Sequence, residues 1–264
     1  MPTEIRAIRK ITPQADGDTV HVAKFNVYRN GRIFKAWKPK KKSLTGAGLL
    51  KIRLLGIDTP ELHYPGPSPP TPCPNRLTGP ARPKIPPQDP WGTDAKVWLD
   101  KQLGDGDRVI VELDAEVFDK YGRVLGYIWT VKGNWKKNKL LNVRLVEQGL
   151  AFPYQIWPNR AHFSDVKEAA KVAKGRGVFV AVADKLLTLN QVRAGGQLNE
   201  PFLYRKVVDG AICQVSPRSL LHRWVGDART WLYYNPQQYR KVPIPYRFFF
   251  EDEKAAINAG FSKA

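Results

Sequence analysis

Three short stretches of the sequence place carboxylates or arginines where strand-like segments end. They are DGDT at 16–19, RLLGIDTPE at 53–61 and DKYGR at 119–123. Together they hold the groups needed to hydrolyse a phosphodiester. These are oxygen ligands for a divalent cation, a carboxylate that organises water, and fixed cations for the charge on the phosphoryl oxygens. Each stretch alone also has a structural explanation, because Asp-Gly forms hairpin turns and Asp-Thr-Pro-Glu is an ordinary exit from a strand.

The stretch at 53–61 is the most informative of the three. Apolar residues alternate around Arg53 as far as Ile57, which predicts a strand, and Pro60 ends the pairing because proline has no N–H to donate. The strand therefore presents Arg53 and then two carboxylates, Asp58 and Glu61, in the turn that follows. One carboxylate could ligate a cation while the other handles water, and the guanidinium fork of Arg53 matches the geometry of a phosphate.

Composition points to a polyanionic partner. The 264 residues carry a formal net charge of +19 with a pI near 10.0, and residues 1–180 contribute +14 of this excess. A hydrophobic content of 42% is sufficient for a folded core, which excludes a disordered basic tail. Nucleic acid is favoured over a membrane surface, because the sequence contains no apolar span of about 20 residues and no basic amphipathic helix. We therefore expect no membrane insertion.

The two cysteines, Cys73 and Cys213, lack the paired spacing of a zinc site or a disulfide framework. Two ordinary thiols are the simplest interpretation, and a bridge in an oxidising compartment is the alternative. Residues 1–10 lack the apolar core of a signal peptide. The chain is then either cytoplasmic or an exported protein whose leader has been removed.

Four motifs in this order resemble the thermonuclease (staphylococcal nuclease) family. They are the three stretches above, the third extended to DKYGRVLGYI at 119–128, followed by LNVRLVEQGLA at 141–151. The resemblance implies a calcium-dependent hydrolysis of DNA and RNA that cuts the P–O5′ bond and leaves 3′-phosphates. It assigns the calcium ligands to Asp18, Asp58 and the carbonyl of Thr59. It assigns water activation to Glu61, the grip on the scissile phosphate to Arg53 and Arg123, contacts with a neighbouring phosphate to Lys120 and Tyr121, and base stacking to Tyr154.

The same resemblance implies an α+β fold, a five-stranded OB-fold β-barrel with three helices over residues 1–180. A basic loop at 31–50 and a Pro-rich loop at 62–90 are insertions, and the Pro-rich loop holds half of the 22 prolines. Residues 181–264 are predicted to be a small, degenerate α+β appendage. In it we expect a strand at 247–250 and a short helix at 252–259, and we expect its aromatic residues to bury one another.

The basic loop has two interpretations. Lys40, Lys41 and Lys42 follow aromatic residues and lie next to the predicted active-site strand, so they could track phosphates. A run of lysines is equally typical of a solvated surface.

Two other classes of protein share part of this pattern. A non-catalytic nucleic-acid-binding module of the same family is the main alternative, and a basic structural protein explains the charge but not the motifs. Retention of all five carboxylate and arginine positions favours the enzyme. We expect DNA and RNA as substrates, with a preference for single-stranded regions. Export is the favoured location, because an uncontrolled nuclease is hazardous in the cytoplasm.

Overall fold

The computed structural model describes residues 3–13, 15–67, 73–193 and 196–264. Its strands are β1 (Glu4–Lys10), β2 (Thr19–Arg29), β3 (Arg32–Ile33), β4 (Leu50–Leu54), β5 (Gly56–Asp58), β6 (Arg108–Glu112), β7 (Val124–Lys132), β8 (Lys136–Leu140), β9 (Phe152–Ile156), β10 (Trp224–Asp227), β11 (Leu232–Tyr234), β12 (Arg247–Phe250) and β13 (Ser262–Lys263). Its α-helices are α1 (Trp91–Gln102), α2 (Leu141–Glu147), α3 (Phe163–Ala173), α4 (Val178–Ala181), α5 (Leu189–Arg193), α6 (Pro201–Cys213) and α7 (Glu253–Asn258). The chain is therefore of the α+β class, as predicted.

Five strands of the first sheet form a closed cycle of pairings. β1 pairs with β2 and β6, β6 with β7, β7 with β4, and β4 with β2. Buried residues alternate along β1 and β4, which places one apolar side of each strand inside the cycle. The interior is filled by aliphatic side chains that include Ile5, Ala7, Val20, Val22, Ile52, Leu54, Val109, Val111 and Val124.

Helices α1, α2 and α3 pack against this cycle. The sequence predicts a helix from about Ser164 to Lys174 with Val166, Ala169, Ala170 and Ala173 on its buried face, and α3 confirms this face. The sequence predicts Asn142 as the N-cap of α2, and this prediction is wrong, because the helix begins at Leu141. The Asn142 side chain is instead fully buried, where it accepts a hydrogen bond from the Ile128 N–H and donates one to the Leu55 carbonyl.

Within the described part of the chain, every helix is too short or too polar to cross a membrane.

Gly56 is the point where the chain leaves the first sheet and enters the second. Its φ of +75° lies in the left-handed region, and a Cβ there would be 2.9 Å from the Gln155 side-chain oxygen. β5 then pairs antiparallel with β9, with Asp58 opposite Phe152. The chain thus changes direction at Gly56, shortly after Arg53, and this change places Asp58 close to Arg53.

The second sheet crosses the predicted domain boundary at residue 180. Its strand order is β13-β11-β10-β12-β9-β5, so four strands of the C-terminal segment continue a sheet that β5 and β9 begin. β12 lies parallel to β9 through the pairs Phe248–Gln155 and Phe249–Ile156. The predicted strand at 247–250 and the predicted short helix after Asp252 are both confirmed.

Helix α6 connects the C-terminal segment to the Pro-rich loop. Tyr204, Val207 and Ile212 on one side of α6 share a buried cluster with Tyr64 and Ile85 of the loop. The Tyr204 hydroxyl donates to the carbonyl of Pro86, and the Tyr64 hydroxyl donates to Asp209 at 2.7 Å. The interpretation of the cysteines as two ordinary thiols is wrong, because Cys73 and Cys213 form a disulfide between the loop and the last residue of α6.

Replacing both cysteines by serine is expected to lower the free energy of unfolding by about 2–5 kcal/mol, because the bond closes a long loop of chain. Guanidinium denaturation of the variant and of the oxidised parent measures the difference. Reduced parent protein is the matched control and should unfold at the midpoint of the variant. A variant that unfolds at the same midpoint as the oxidised parent would show that α6 is held without the disulfide.

Candidate active site

Strand register brings Asp18 and Arg53 together. Thr19 at the start of β2 pairs with Arg53 on β4, and the Leu54 N–H donates to the Asp18 carbonyl at 2.9 Å. Asp18 therefore lies at the end of the neighbouring strand, next to Arg53. The backbone N–H of Thr59, one residue after β5, donates to an Asp18 carboxylate oxygen at 3.2 Å. Two of the three predicted stretches thus converge on one point.

Arg53 bridges two buried carboxylates. One guanidinium nitrogen is 2.9 Å from an Asp18 oxygen, and the other is 2.7 Å from an Asp58 oxygen. The side chain of Arg53 is 12% exposed and that of Asp58 only 1%. Burial alone would lower the pKa of Arg53, but the negative charges of Asp18 and Asp58 outweigh it and raise the pKa above its usual value. Arg53 is thus a permanently charged group held by a rigid strand.

Glu61 is the third carboxylate of this cluster, and a glutamine fixes its backbone. Gln88 at the end of the Pro-rich loop accepts a hydrogen bond from the Glu61 N–H at 3.0 Å, and its own N–H donates to the Glu61 carbonyl at 2.8 Å. The Gln88 amide also donates to the Asn199 carbonyl at 2.8 Å. Burial raises the pKa of Glu61 to about 7, with Arg205 opposing the shift and Asp58 adding to it. A carboxyl with this pKa can exchange a proton near neutral pH.

Arg205 completes the cluster from the C-terminal segment. One nitrogen of its guanidinium is 2.8 Å from an Asp58 oxygen, and the other contacts both Asp58, at 3.2 Å, and Glu61. Burial lowers the pKa of Arg205, but the carboxylates of Asp58 and Glu61 raise it well above its usual value.

Neither Arg205 nor Gln88 is assigned to this site from the sequence alone. In the sequence, α6 is indicated by a proline at the first helical position, by apolar residues at helical spacing, and by the Pro-aromatic-Arg pattern at 201–205, which predicts that this segment packs onto the barrel.

The oxygen donors at this point have the chemistry of a site for a hard divalent cation. Asp18 and Asp58 supply buried carboxylates, and the Thr59 hydroxyl is buried with no hydrogen-bond partner among the described residues. Among the described residues, however, no three acids or histidines converge closely enough to hold a metal ion by themselves. Arg53 and Arg205 lie between the carboxylates instead. The oxygen donors are therefore of the kind that binds a hard cation. In this structure the guanidinium groups of Arg53 and Arg205 bond the carboxylate oxygens of Asp18 and Asp58.

Arg123 lies on a separate loop and does not contact the carboxylate cluster. Its guanidinium donates to Asp119 at 2.7 Å, and the same aspartate accepts from the backbone N–H groups of Tyr121 and Arg123. Arg123 also lines a cleft of about 580 Å³ together with Asp16 and Thr19. Because Thr19 is the register partner of Arg53, this cleft lies beside the cluster. Lys120 and Tyr121 are exposed on the same loop.

The basic loop packs against the loop of Arg123. Lys40, Lys41 and Lys42 are exposed, and the 3₁₀ turn Lys41–Ser43 approaches Gly122, where a Cβ would be 2.7 Å from the Lys42 Cβ. The Ser43 hydroxyl donates to the Gly122 carbonyl at 2.5 Å. The three lysines therefore lie next to the loop of Arg123, while Thr45, Gly46 and Ala47 of the same basic loop line the cleft.

Tyr154, the residue predicted to stack on a base, packs against aromatic rings of the C-terminal segment. It lies on β9, half-buried, with its ring stacked on Phe202 at 5.7 Å and tilted against Phe249 at 4.6 Å. Both partners belong to the C-terminal segment, so much of the ring face that would stack on a base is covered by protein.

Residues 51–178 match the family described as staphylococcal nuclease homologue. This range contains Arg53, Asp58, Glu61 and Arg123, together with the whole Pro-rich loop.

Three curated proteins are similar to the chain. Endonuclease YhcR of Bacillus subtilis (strain 168) is 28% identical over 220 residues, which cover 82% of this chain and 15% of YhcR. The thermonuclease of Staphylococcus intermedius is 32% identical over 47% of this chain and 58% of its own length. The thermonuclease of Staphylococcus hyicus is 27% identical over 47% of this chain and 57% of its own length. The chain thus spans less than two thirds of each relative, and the similarity to YhcR extends beyond the matched family domain.

Proposed function

We propose that the protein, whose residues 51–178 match the family described as staphylococcal nuclease homologue, is a calcium-dependent nuclease that hydrolyses phosphodiester bonds in DNA and RNA. The observation that carries the proposal is Arg53, fixed on a strand between the buried carboxylates of Asp18 and Asp58. Cleavage is expected at the P–O5′ bond, which leaves 3′-phosphates.

Each residue of the cluster has a separate task in this reaction. Asp18, Asp58 and the carbonyl of Thr59 would hold Ca²⁺, which when bound supplies positive charge for the phosphoryl oxygens. Glu61 orients the attacking water and accepts its proton, which its buried position favours near neutral pH. Arg53 donates to the phosphate as its charge grows in the transition state.

Arg123 and the residues around it form the proposed substrate path. Its guanidinium lies on the cleft that adjoins the cluster, from where it would meet the phosphate opposite Arg53. Lys120, Tyr121 and the lysines of the basic loop would hold neighbouring phosphates, and any stacking by Tyr154 would use the part of its ring that the C-terminal segment leaves open. Single-stranded or unpaired regions are the substrate that we expect this path to prefer.

The fold proposed for the catalytic domain is the five-stranded OB-fold barrel. The closed cycle of β1, β6, β7, β4 and β2 supports it, since each of these strands pairs with two others. We also propose that the protein is exported, and the Cys73–Cys213 disulfide supports this, because such bonds persist in oxidising compartments.

Cleavage of plasmid and single-stranded DNA by the purified protein is expected to require Ca²⁺ and to stop when EGTA is added. Glu61→Gln, which keeps the shape of the side chain but cannot accept the proton, should bind DNA normally and lose at least about 10²-fold in rate. Gel assays and fluorescence anisotropy measure the two properties. Binding without cleavage by the parent protein would favour the non-catalytic module, and cleavage that persists in EGTA would contradict a calcium-dependent mechanism.

Arg53→Lys is expected to lower kcat/KM by roughly 10²-fold or more, because an ammonium group cannot donate bidentately to the phosphate while held between two carboxylates. Single-turnover cleavage of a labelled oligonucleotide measures the loss. Arg144→Lys, which makes the same change at a more exposed salt bridge of α2, is the matched control and should retain parental activity. A rate for Arg53→Lys within a few-fold of the parent would remove Arg53 from the chemistry.

Alanine at Lys40, Lys41 and Lys42 is expected to weaken binding of DNA and to flatten its salt dependence. Each phosphate contact that is lost should reduce the slope of log K against log [salt] by about 0.7–0.9. Anisotropy titrations across a range of NaCl concentrations measure the slope. Alanine at Lys136 and Lys139, two exposed lysines of the strand paired with the far end of β7, is the control. An unchanged slope in the triple variant would identify the loop as ordinary solvated surface.

A further inference from the structure

Helix α6 brings a second guanidinium into the carboxylate cluster, from a part of the chain that lies outside the matched family domain. Both oxygens of Asp58 receive hydrogen bonds from Arg205, at 2.8 and 3.2 Å, and one of them also receives a bond from Arg53 at 2.7 Å. Arg205 contacts Glu61 as well. Asp58, the carboxylate proposed to bind Ca²⁺, is therefore surrounded by cationic donors.

Arg205 is held in this position by the anchoring of its helix. The buried carboxylate of Glu200, next to the start of α6, accepts hydrogen bonds from the Arg247 guanidinium of β12 at 2.7 and 3.0 Å. At the other end, Cys213 is bonded to Cys73, and the Leu77 N–H donates to the Ile212 carbonyl at 2.9 Å. The helix is thus fixed at both ends while the Arg205 side chain retains 23% exposure. The guanidinium can change its contacts by rotating its own side chain, with the helix in place.

We propose that Arg205 is a tethered cation of the active site that competes with Ca²⁺ for Asp58 and so sets the affinity of the site for the metal. The inference rests on the proposed function, because it takes Asp58 as a calcium ligand. It makes Arg205 a positioning residue that acts through Asp58 and Glu61, and it gives the C-terminal segment a direct part in the active site.

Charge balance decides the direction of the effect. With Glu61 ionised, the carboxylates of Asp18, Asp58 and Glu61 face the guanidinium groups of Arg53 and Arg205, which leaves one net negative charge for an incoming divalent cation. Removing the charge of Arg205 doubles that net charge and frees the oxygens of Asp58. Since charges a few ångströms apart in a largely buried site interact strongly, the affinity for Ca²⁺ should increase by about tenfold or more.

Calorimetric titration of Ca²⁺ into the DNA-free protein tests the proposal. Arg205→Gln is expected to bind Ca²⁺ at least about tenfold more tightly than the parent. Arg205→Lys keeps the charge but cannot bond Asp58 and Glu61 with the same planar group, so its affinity should lie between the two. Lys206→Gln is the matched control, since it removes one positive charge from the next position of α6, where the partner is Asp209. Its affinity should stay within about twofold of the parent.

A second measurement keeps the test decisive if Arg205→Gln is poorly stable. Because a ligand stabilises the state that binds it, Ca²⁺ at one fixed concentration should raise the Tm of Arg205→Lys more than that of the parent or of Lys206→Gln. Equal or weaker Ca²⁺ binding by both Arg205 variants would overturn the proposal while leaving the calcium site intact. Absence of Ca²⁺ binding in the parent and in every variant would instead overturn the calcium assignment, and this inference with it.

Discussion

Three carboxylates in a largely buried cluster require positive charge beside them, and this requirement organises the structure around the site. An ionised carboxylate removed from water without a partner is strongly unfavourable, and losing one member of a buried ion pair typically costs about 3–5 kcal/mol. Arg53 meets the requirement from a strand of the first sheet, and Arg205 meets it from helix α6. The cluster is therefore stable only when both elements are docked together.

Because the cluster needs Arg205 of α6, the contacts between the Pro-rich loop and the C-terminal segment also support the cluster. Gln88 joins the backbone of Glu61 to the carbonyl of Asn199, while Tyr204 of α6 donates to the carbonyl of Pro86. The disulfide adds a covalent link between the same two regions. Contacts that bring Arg205 to the carboxylates thus also fix Glu61 on its turn. The insertion and the extension together form one wall of the candidate active site.

The sequence is most informative where the interactions are local or follow strand register. The motif at 53–61 is sufficient to bring Arg53, Asp58 and Glu61 into one segment, and the alternation of β4 predicts which side chains enter the core. The predicted turn begins later than expected, because Asp58 is the last residue of β5 and only Glu61 lies beyond the strand. Arg205 could not be found in the same way, because its partners are more than 140 positions away. The disulfide, which spans 140 residues, depends equally on the docking of α6. Asn142 shows the same limit. Asparagine is a common capping residue, but here its side chain makes two buried hydrogen bonds, one with Ile128 of β7 and one with Leu55 between β4 and β5.

Arg123 and Arg205 are the two arginines of the candidate site that lie outside β4. They are held in different ways, and the tasks proposed for them differ accordingly. Arg123 is fixed locally by Asp119 on a loop whose Gly122 adopts a φ of +87°, so its guanidinium remains at the edge of the cleft. Arg205 is fixed through its helix, and its planar fork bonds two carboxylates at once, which a lysine could not reproduce. Because both ends of α6 are anchored, the proposed exchange of the guanidinium for a metal ion would need only a rotation of one side chain. The C-terminal segment can therefore stay docked through the exchange, and Glu61 keeps its backbone contacts with Gln88.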